Sequence, residues 1–414
     1  MNILFVHQNF PGQFKHLAPA LARQGHRVVA MHINACPPIP GVALVRYAVA
    51  GRPGQGTQRW LADLEVKTLR GEAAWRAALQ LREQGFVPDV IVAHPGWGES
   101  LFLQQVWPQA RLGIYCEFFY RAQGADVGFD PEFGSPQEDQ LCRLQMKNAN
   151  CELHFSRAQA GISPTHWQAS LFPEAFASRI EVIHDGIHTD QIKPDANASI
   201  RVQTPQGVLQ LGPSDEVITF VNRNLEPYRG YHQFMRALPA ILKARPRARV
   251  VIIGGNEVSY GTAPPPGPDG KPQTWREIFL NEVKDSIDLS RVHFVGKVPY
   301  ADFLRVLQVS TVHVYLTYPF VLSWSLLEAM SAGCAIVASD TAPVREAIRH
   351  GETGQLVDFF DPAALAQQVI ALCEDPTERA KLGVQARAFA VAHYDLETRC
   401  LPRQIEWVQG LAMA

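Results

Sequence analysis

Charge is sparse in this sequence. Only 19% of its 414 residues are Asp, Glu, Lys or Arg, and 40 acidic against 38 basic side chains leave a formal net charge of −2. Nucleic-acid binding normally needs a basic face, so no dominant nucleic-acid partner is expected, although a local basic patch is left open. Long apolar runs are also missing. None approaches the ~20 residues that a membrane-spanning helix needs. No strongly amphipathic basic helix marks a surface anchor, so peripheral membrane contact is left open rather than expected. The first apolar run, Asn2–His7, is too short for a secretory leader and has no basic residues ahead of it. The seven cysteines (36, 116, 142, 151, 334, 373 and 400) form no C-x-x-C pair and no zinc-type Cys/His spacing. Most lie in apolar runs and are expected as reduced core residues of a cytoplasmic protein. No acidic D-x-D triplet sits in a convincing loop, so no metal is expected. No carboxylate pair suits hydrolysis, and neither a short repeat nor a low-complexity tract occurs.

What is present is alternation. The length suffices for two full cores. Buried-type strands are expected at Asn2–His7, Arg27–Ile33, Asp89–Ala93 and Arg111–Cys116, with one more at Ala43–Tyr47 and a helix over Gln13–Gln24. After a polar stretch the pattern restarts. Strands are expected at Glu216–Val221, Arg249–Ile253, Val292–Val295 and Thr311–Leu316, and helices at Tyr231–Ala244, Trp275–Asp285 and Tyr300–Val309. Short apolar strands separated by helices argue for α/β architecture with parallel sheets covered on both faces. The expected organisation is a first Rossmann-like domain over 1–190, a hinge region over 191–215, a second such domain over 216–392 facing the first across a cleft, and an amphipathic C-terminal helix over 393–414. The Pro/Gly-rich stretch Tyr260–Gln273 is expected to lack regular structure and to be mobile or a lid.

One segment is dense in chemical information: Ser325 to Leu356, SLLEAMSAGCAIVASDTAPVREAIRHGETGQL. It predicts a short helix bearing Glu328 and ending at Gly333, a strand over Cys334–Ala338, a second helix with Glu346 near its start, and turns at Gly351 and Gly354. A helix N-terminus offers free N–H groups and a positive dipole end to a phosphate. Glu328, about one turn in, would reach hydroxyls beside that phosphate. Upstream, N-R-N-L-E-P-Y-R-G (222–230) follows a strand and offers Arg223 and Arg229 for forked contacts to phosphate oxygens. In the first half His94 directly follows a buried strand, and strand C-terminal ends face the ligand crevice in such sheets.

The order LLEAM-x-AG, apolar strand, then Pro343, Glu346, Ile348, Gly351 and Gly354 resembles the donor-binding signature of glycosyltransferase family 4, the retaining nucleotide-sugar transferases of GT-B fold. The resemblance implies a hexosyltransferase that needs no metal and no cofactor beyond its co-substrate, a nucleotide-sugar, with a UDP-sugar favoured. Its catalytic set would be His94, Arg229 and Glu328. The donor would meet Gly12, Arg223, Arg229, Val298 and Ser323. Backbone from Trp324 through Ser325 and Leu326 to Leu327 would cradle the distal phosphate, and Glu328 would hold the ribose hydroxyls. Asn9, Glu117 and Asp126 would meet the acceptor, which is a glycan, a lipid-linked glycan, a protein or a small molecule. His94 would bond a sugar hydroxyl, and Glu117 is the candidate base for an inverting reaction. One position departs from the family pattern. Two glutamates with seven residues between them are usual, and Phe320 stands where the first belongs, so altered sugar contacts are expected. Other readings stay open: an epimerase or phosphorylase of the same fold, or a non-catalytic sugar- or nucleotide-binding module.

Overall fold

The computed structural model describes residues 1–205, 207–268 and 270–413. Gln206 of the expected hinge, Asp269 of the expected loop and Ala414 of the C-terminal helix lie outside the described residues. The chain folds into two compact units, Met1–Gly186 with Leu396–Ala414, and Ile187–Asp395.

The first unit is built on seven strands: β1 (Asn2–Val6), β2 (Arg27–His32), β3 (Val42–Arg46), β4 (Val90–Ala93), β5 (Arg111–Tyr115), β6 (Ala160–Ser163) and β7 (Ile180–Val182), in the order β3-β2-β1-β4-β5-β6-β7. Every pairing is parallel. The apolar runs Ile3–Val6 and Val90–Ala93 are fully buried because helices cover both faces. Strand order reverses between β1 and β4, and ligand crevices form beyond the carboxyl ends at such a switch point. His7 ends β1 and His94 ends β4, joined there by the His94 N–H donating to Val6 O at 3.1 Å.

The helix expected over Gln13–Gln24 is shorter. A tight turn at Gly12–Phe14 precedes a helix at Leu17–Arg23. Gly12 has φ +46°, and a Cβ there would meet the His7 ring at 2.4 Å. This glycine therefore accommodates an imidazole. Two long helices, Ala62–Glu83 and Glu138–Phe155, close one face of the sheet.

The C-terminal helix Leu401–Met413 belongs to this first unit. Leu401, Trp407, Val408 and Leu411 join a core cluster with Ile3, Phe5, Leu17 and Val92. Gly113 on β5 makes the seat, since a Cβ there would lie 2.5 Å from Leu411 and 2.6 Å from Trp407. Gly113→Val is therefore expected to destabilise the protein by about 3 kcal/mol through overpacking. Gly56→Ala, at a site with no atom within 4 Å of the new Cβ, should be near neutral. Urea unfolding of both variants checks this.

The second unit holds β8 (Ile200–Thr204), β9 (Gly207–Leu211), β10 (Val217–Asn224), β11 (Arg249–Gly255), β12 (Val292–Gly296), β13 (Val312–Tyr315), β14 (Ile336–Ser339) and β15 (Gln355–Val357). Its main sheet runs β12-β11-β10-β13-β14-β15, again all parallel. Residues 191–215, expected as a hinge, lie inside this unit and contain the antiparallel hairpin β8–β9. The reason is period-2 burial: Ile200 and Val202 point into the core while Arg201 and Gln203 face out. The helix Trp324–Ser331 and strand β14 follow the sequence reading closely. The second helix of that segment is only Ala342–Arg345, so Glu346 stands at its end and not near its start. Gly351 takes φ +73°, and its N–H donates to Gly354 O at 2.8 Å.

Five of the seven free cysteines are buried, Cys36 is half-buried and Cys142 is exposed. Among the described residues, no helix is long and apolar enough to cross a membrane.

Candidate functional site

In the first unit, four side chains at the switch point form one network. His94 Nδ1 accepts from the Gly96 N–H at 3.2 Å, which leaves Nε2 to carry the proton and donate to Glu117 Oε2 at 3.2 Å. Glu117 Oε1 accepts from Gln13 Nε2 at 2.8 Å. Gln13 Oε1 accepts in turn from His7 Nε2 at 2.9 Å, while His7 Nδ1 accepts from the Asn9 N–H at 3.0 Å. Burial, with His94 nearby, pushes the His7 pKa down to about 3, so His7 is neutral. Burial alone would raise the Glu117 carboxyl, but the bond from His94, the two imidazoles and Gln13 hold it below its ordinary value. Trp97 stacks on His94 at 4.3 Å, and Tyr115, whose hydroxyl donates to Asp185, stacks on the ring at 5.5 Å.

Of the residues expected here, His94, Glu117 and the backbone of Asn9 come together. Asp126 is buried too, and after burial its charge pushes the Tyr120 phenol up. Sequence reasoning missed His7, Gln13, Trp97, Tyr115 and Asp185. The available signal was that His7 ends β1 just as His94 ends β4.

The second unit repeats the switch-point logic. Strand order reverses between β10 and β13, so the loops leaving these two strands share one end of the sheet. The β10 loop carries Arg223 and Arg229. Arg223 is exposed, whereas Arg229 is only 5% exposed. Gly230, at φ +67°, allows the close turn: a Cβ there would lie 2.3 Å from Leu316. Arg229 Nη1 donates to Thr317 Oγ1 at 2.8 Å and to Val321 O at 3.1 Å. The Arg229 guanidinium also faces the buried Tyr315 hydroxyl, whose pKa burial raises and the arginine lowers. Its guanidinium lies 5.1 Å from the Tyr260 ring centre and 5.8 Å from that of Phe320.

Phe320 is 7% exposed, and its ring lies 5.0 Å from Tyr260 and 5.5 Å from Tyr228. The position where the family places a glutamate thus belongs to an aromatic cluster around the arginine. Glu226, 0% exposed, organises that cluster. Its carboxylate accepts from the N–H groups of Ser259, Tyr260 and Gly261 at 3.2–3.3 Å. The loop expected to be mobile is therefore tied at its start, and again where Trp275 Nε1 donates to Thr262 O at 3.1 Å. It contains no helix or strand among its described residues.

The β13 loop leads into the helix Trp324–Ser331. Ser323 caps it: its Oγ accepts from the Ser325 N–H at 3.3 Å and its carbonyl from the Leu326 N–H at 3.2 Å. Two of the amides expected to cradle a phosphate are thus already engaged by their own cap. Leu326 and Leu327 send their side chains into the core, and Trp324 is exposed. Glu328 is 8% exposed and accepts from the Tyr300 hydroxyl at 2.5 Å. Burial and the Glu328 charge push the Tyr300 phenol up, so it stays protonated as the donor. Val298 is half-buried and lines a cavity of about 590 Å³ under the β8 strand with Val251, Val295 and Val306.

Sequence comparison agrees with this geometry. The pattern of the glycosyl transferase family 4 group matches residues 24–192, and that of glycosyl transferases group 1 matches residues 207–389. The chain belongs to the family 4 glycosyltransferases. D-inositol 3-phosphate glycosyltransferase of Corynebacterium efficiens is 29% identical over 173 residues, 41% of this chain and 38% of that enzyme. The chain spans less than half the length of the inositol-phosphate transferases it matches. Glycogen synthase of Mycobacterium tuberculosis is 24% identical over 96% of this chain and 92% of its own. Among solved structures, Anabaena HepE in complex with UDP and glucose superposes with a TM-score of 0.65 at 16% identity, over 99% of this chain and 100% of that one. That likeness shows the GT-B fold, two Rossmann-like units each built on a parallel sheet.

Proposed function

We propose that this glycosyltransferase moves a hexosyl group from a UDP-sugar to a hydroxylated acceptor, with retention at the transferred carbon and no metal. One observation carries the reading: Arg229 stands on the loop that leaves β10, and Glu328 on the helix that follows the loop leaving β13, at the switch strands of a single parallel sheet. The step breaks the bond between the sugar and the UDP oxygen, and negative charge builds on the diphosphate as it leaves. A fixed guanidinium meets that charge without reorganising. Glu328 accepts the paired ribose hydroxyls, and the dipole of its helix adds positive potential. The leaving phosphate oxygen takes the proton of the incoming hydroxyl. UDP is favoured because the structurally similar HepE is seen with UDP and glucose.

The first unit receives the acceptor. There His94 presents an N–H held in register by Gly96 and Glu117. The test is product analysis. The protein with a UDP-sugar and a chelator should release UDP slowly without an acceptor and faster with one, and the anomeric proton coupling of the product should match the donor. A donor that stays intact in every mixture would overturn the reading.

Phe320 bears on donor choice. A phenyl ring accepts no hydroxyl bond, whereas a carboxylate at that place would accept from the sugar and also face Arg229. Phe320→Glu is therefore expected to reorder a panel of UDP-sugars ranked by UDP release. An unchanged ranking would place position 320 away from the sugar.

A further inference from the structure

The main sheet of the second unit ends at β12, and among the described residues no strand pairs with its outer side. The hairpin strand β8 likewise pairs on one side only, with β9. Both strands wall a cavity of about 680 Å³. Consecutive residues of each strand line it, 201–205 along β8 and 292–295 along β12. Successive side chains of a strand point to opposite faces, so a space over one face would meet every second residue. A space that meets every residue lies beside the strand, in the plane of its hydrogen bonds. The cavity is therefore a slot between two strand edges. No hydrogen bond outside the β11 ladder engages the backbone of residues 293–295 among the described residues.

The slot is basic. Arg201 and Arg276 line it, and among the described residues neither makes an ion pair or donates a side-chain hydrogen bond. The Arg276 guanidinium lies 4.3 Å from the Phe294 ring centre, and its chain neighbour Glu277 is bonded to Thr274. No Asp or Glu lines the slot among the described residues. Asp288, close by in the chain, is taken up by Ser290 and Arg291. His293 on β12 is only 7% exposed, and its Nε2 has no hydrogen-bond partner, a cost that a bound chain could relieve. The two sides of the slot differ. Val202 and Val295 face the core cluster of this unit. Arg201 points away from it, and so does Phe294, the neighbour of Val295, with Arg276 over its ring.

We propose that this slot takes an extended acidic segment of a partner protein, which adds as a strand beside β12. Its main chain pairs with the open edge of β12. Its alternate side chains divide between the two sides, apolar ones beside Val202 and Val295 and carboxylates beside Arg201 and Arg276. The proposal concerns a surface separate from Arg229 and Glu328 and does not rest on the donor reading.

The probe is a fluorescein-labelled peptide of alternating glutamate and valine, about six residues long, the length of an ordinary strand. Fluorescence anisotropy with the full chain should show binding. A peptide with lysine in place of glutamate should bind at least about tenfold more weakly, because two charge-assisted contacts are lost. The acidic peptide N-methylated at every amide keeps its charge but loses its main-chain donors, and it should also bind at least about tenfold more weakly. The double variant Arg201→Gln with Arg276→Gln should weaken binding about tenfold. It should melt close to the parent, since neither side chain is bonded. Bound peptide should slow amide exchange within 292–296. No binding at about millimolar peptide, equal binding of the lysine or N-methylated peptide, full affinity in the double variant, or unchanged exchange along β12 would each overturn the proposal.

Discussion

Arg229→Ala should cut UDP release from a UDP-sugar roughly a hundredfold or more, the range seen when one preorganised donor is taken from a developing anion. Arg229 is buried and its guanidinium is fixed by Thr317 and Val321, so it meets a diphosphate already oriented. The truncation also removes the bonds to Thr317 and Val321 and the ring contacts with Tyr260 and Phe320, so some loss of stability is expected too. Arg229→Lys separates the two effects. It keeps one positive charge in the same burial. It should retain most of the turnover, with a higher KM because a single ammonium replaces a fork. If both variants matched the parent in kcat and KM, Arg229 would leave the site.

Glu328→Gln should lower kcat/KM for the donor by about tenfold to a hundredfold, the worth of one or two hydrogen bonds to a charged group. The amide keeps the volume of the carboxylate and the bond from Tyr300, but it loses the charge and turns one acceptor into a donor, which faces the ribose hydroxyls wrongly. The effect should fall mainly on KM, because the ribose is held equally in ground and transition states. Replacing UDP-sugar with a 2′-deoxy analogue should shrink the gap between parent and variant. A gap that stays constant across ribose and deoxyribose donors would remove Glu328 from the sugar edge of the nucleotide. Tyr300→Phe, which leaves the carboxylate charged, should cost much less.

The sheets were legible because buried parallel strands are continuous apolar runs: Ile3–Val6, Val90–Ala93 and Val250–Ile253 declare themselves without help from partners. Glu328 was legible for a related reason, since a helix start, a helix stop at Gly333 and a strand follow one another in a fixed order. The hairpin Ile200–Leu211 was hidden by its exposed face, whose arginine and glutamines made the stretch read as polar linker. Glu226 was hidden more deeply. A carboxylate two residues from Tyr228 reads as surface charge, and only folding shows it buried against three amides more than thirty positions along the chain. The cations of the first unit were invisible for the same reason. Lys67 and Arg70 come from one helix and Lys147 from another, and nothing in either stretch shows that they share a cavity. Helix Ala62–Glu83 packs through alanines and a glycine on one side, which gives little periodic apolar signal.

The central claim is that a diphosphate docks on the second unit through a guanidinium and a helix N-terminus without a divalent ion. Crystals of the protein soaked with UDP in the presence of a chelator test it most directly. The account predicts the diphosphate against Arg229 near the Ser323–Glu328 turn, with both ribose hydroxyls on the Glu328 carboxylate. UDP bound away from these residues, or no binding of UDP, GDP or ADP at all, would contradict it.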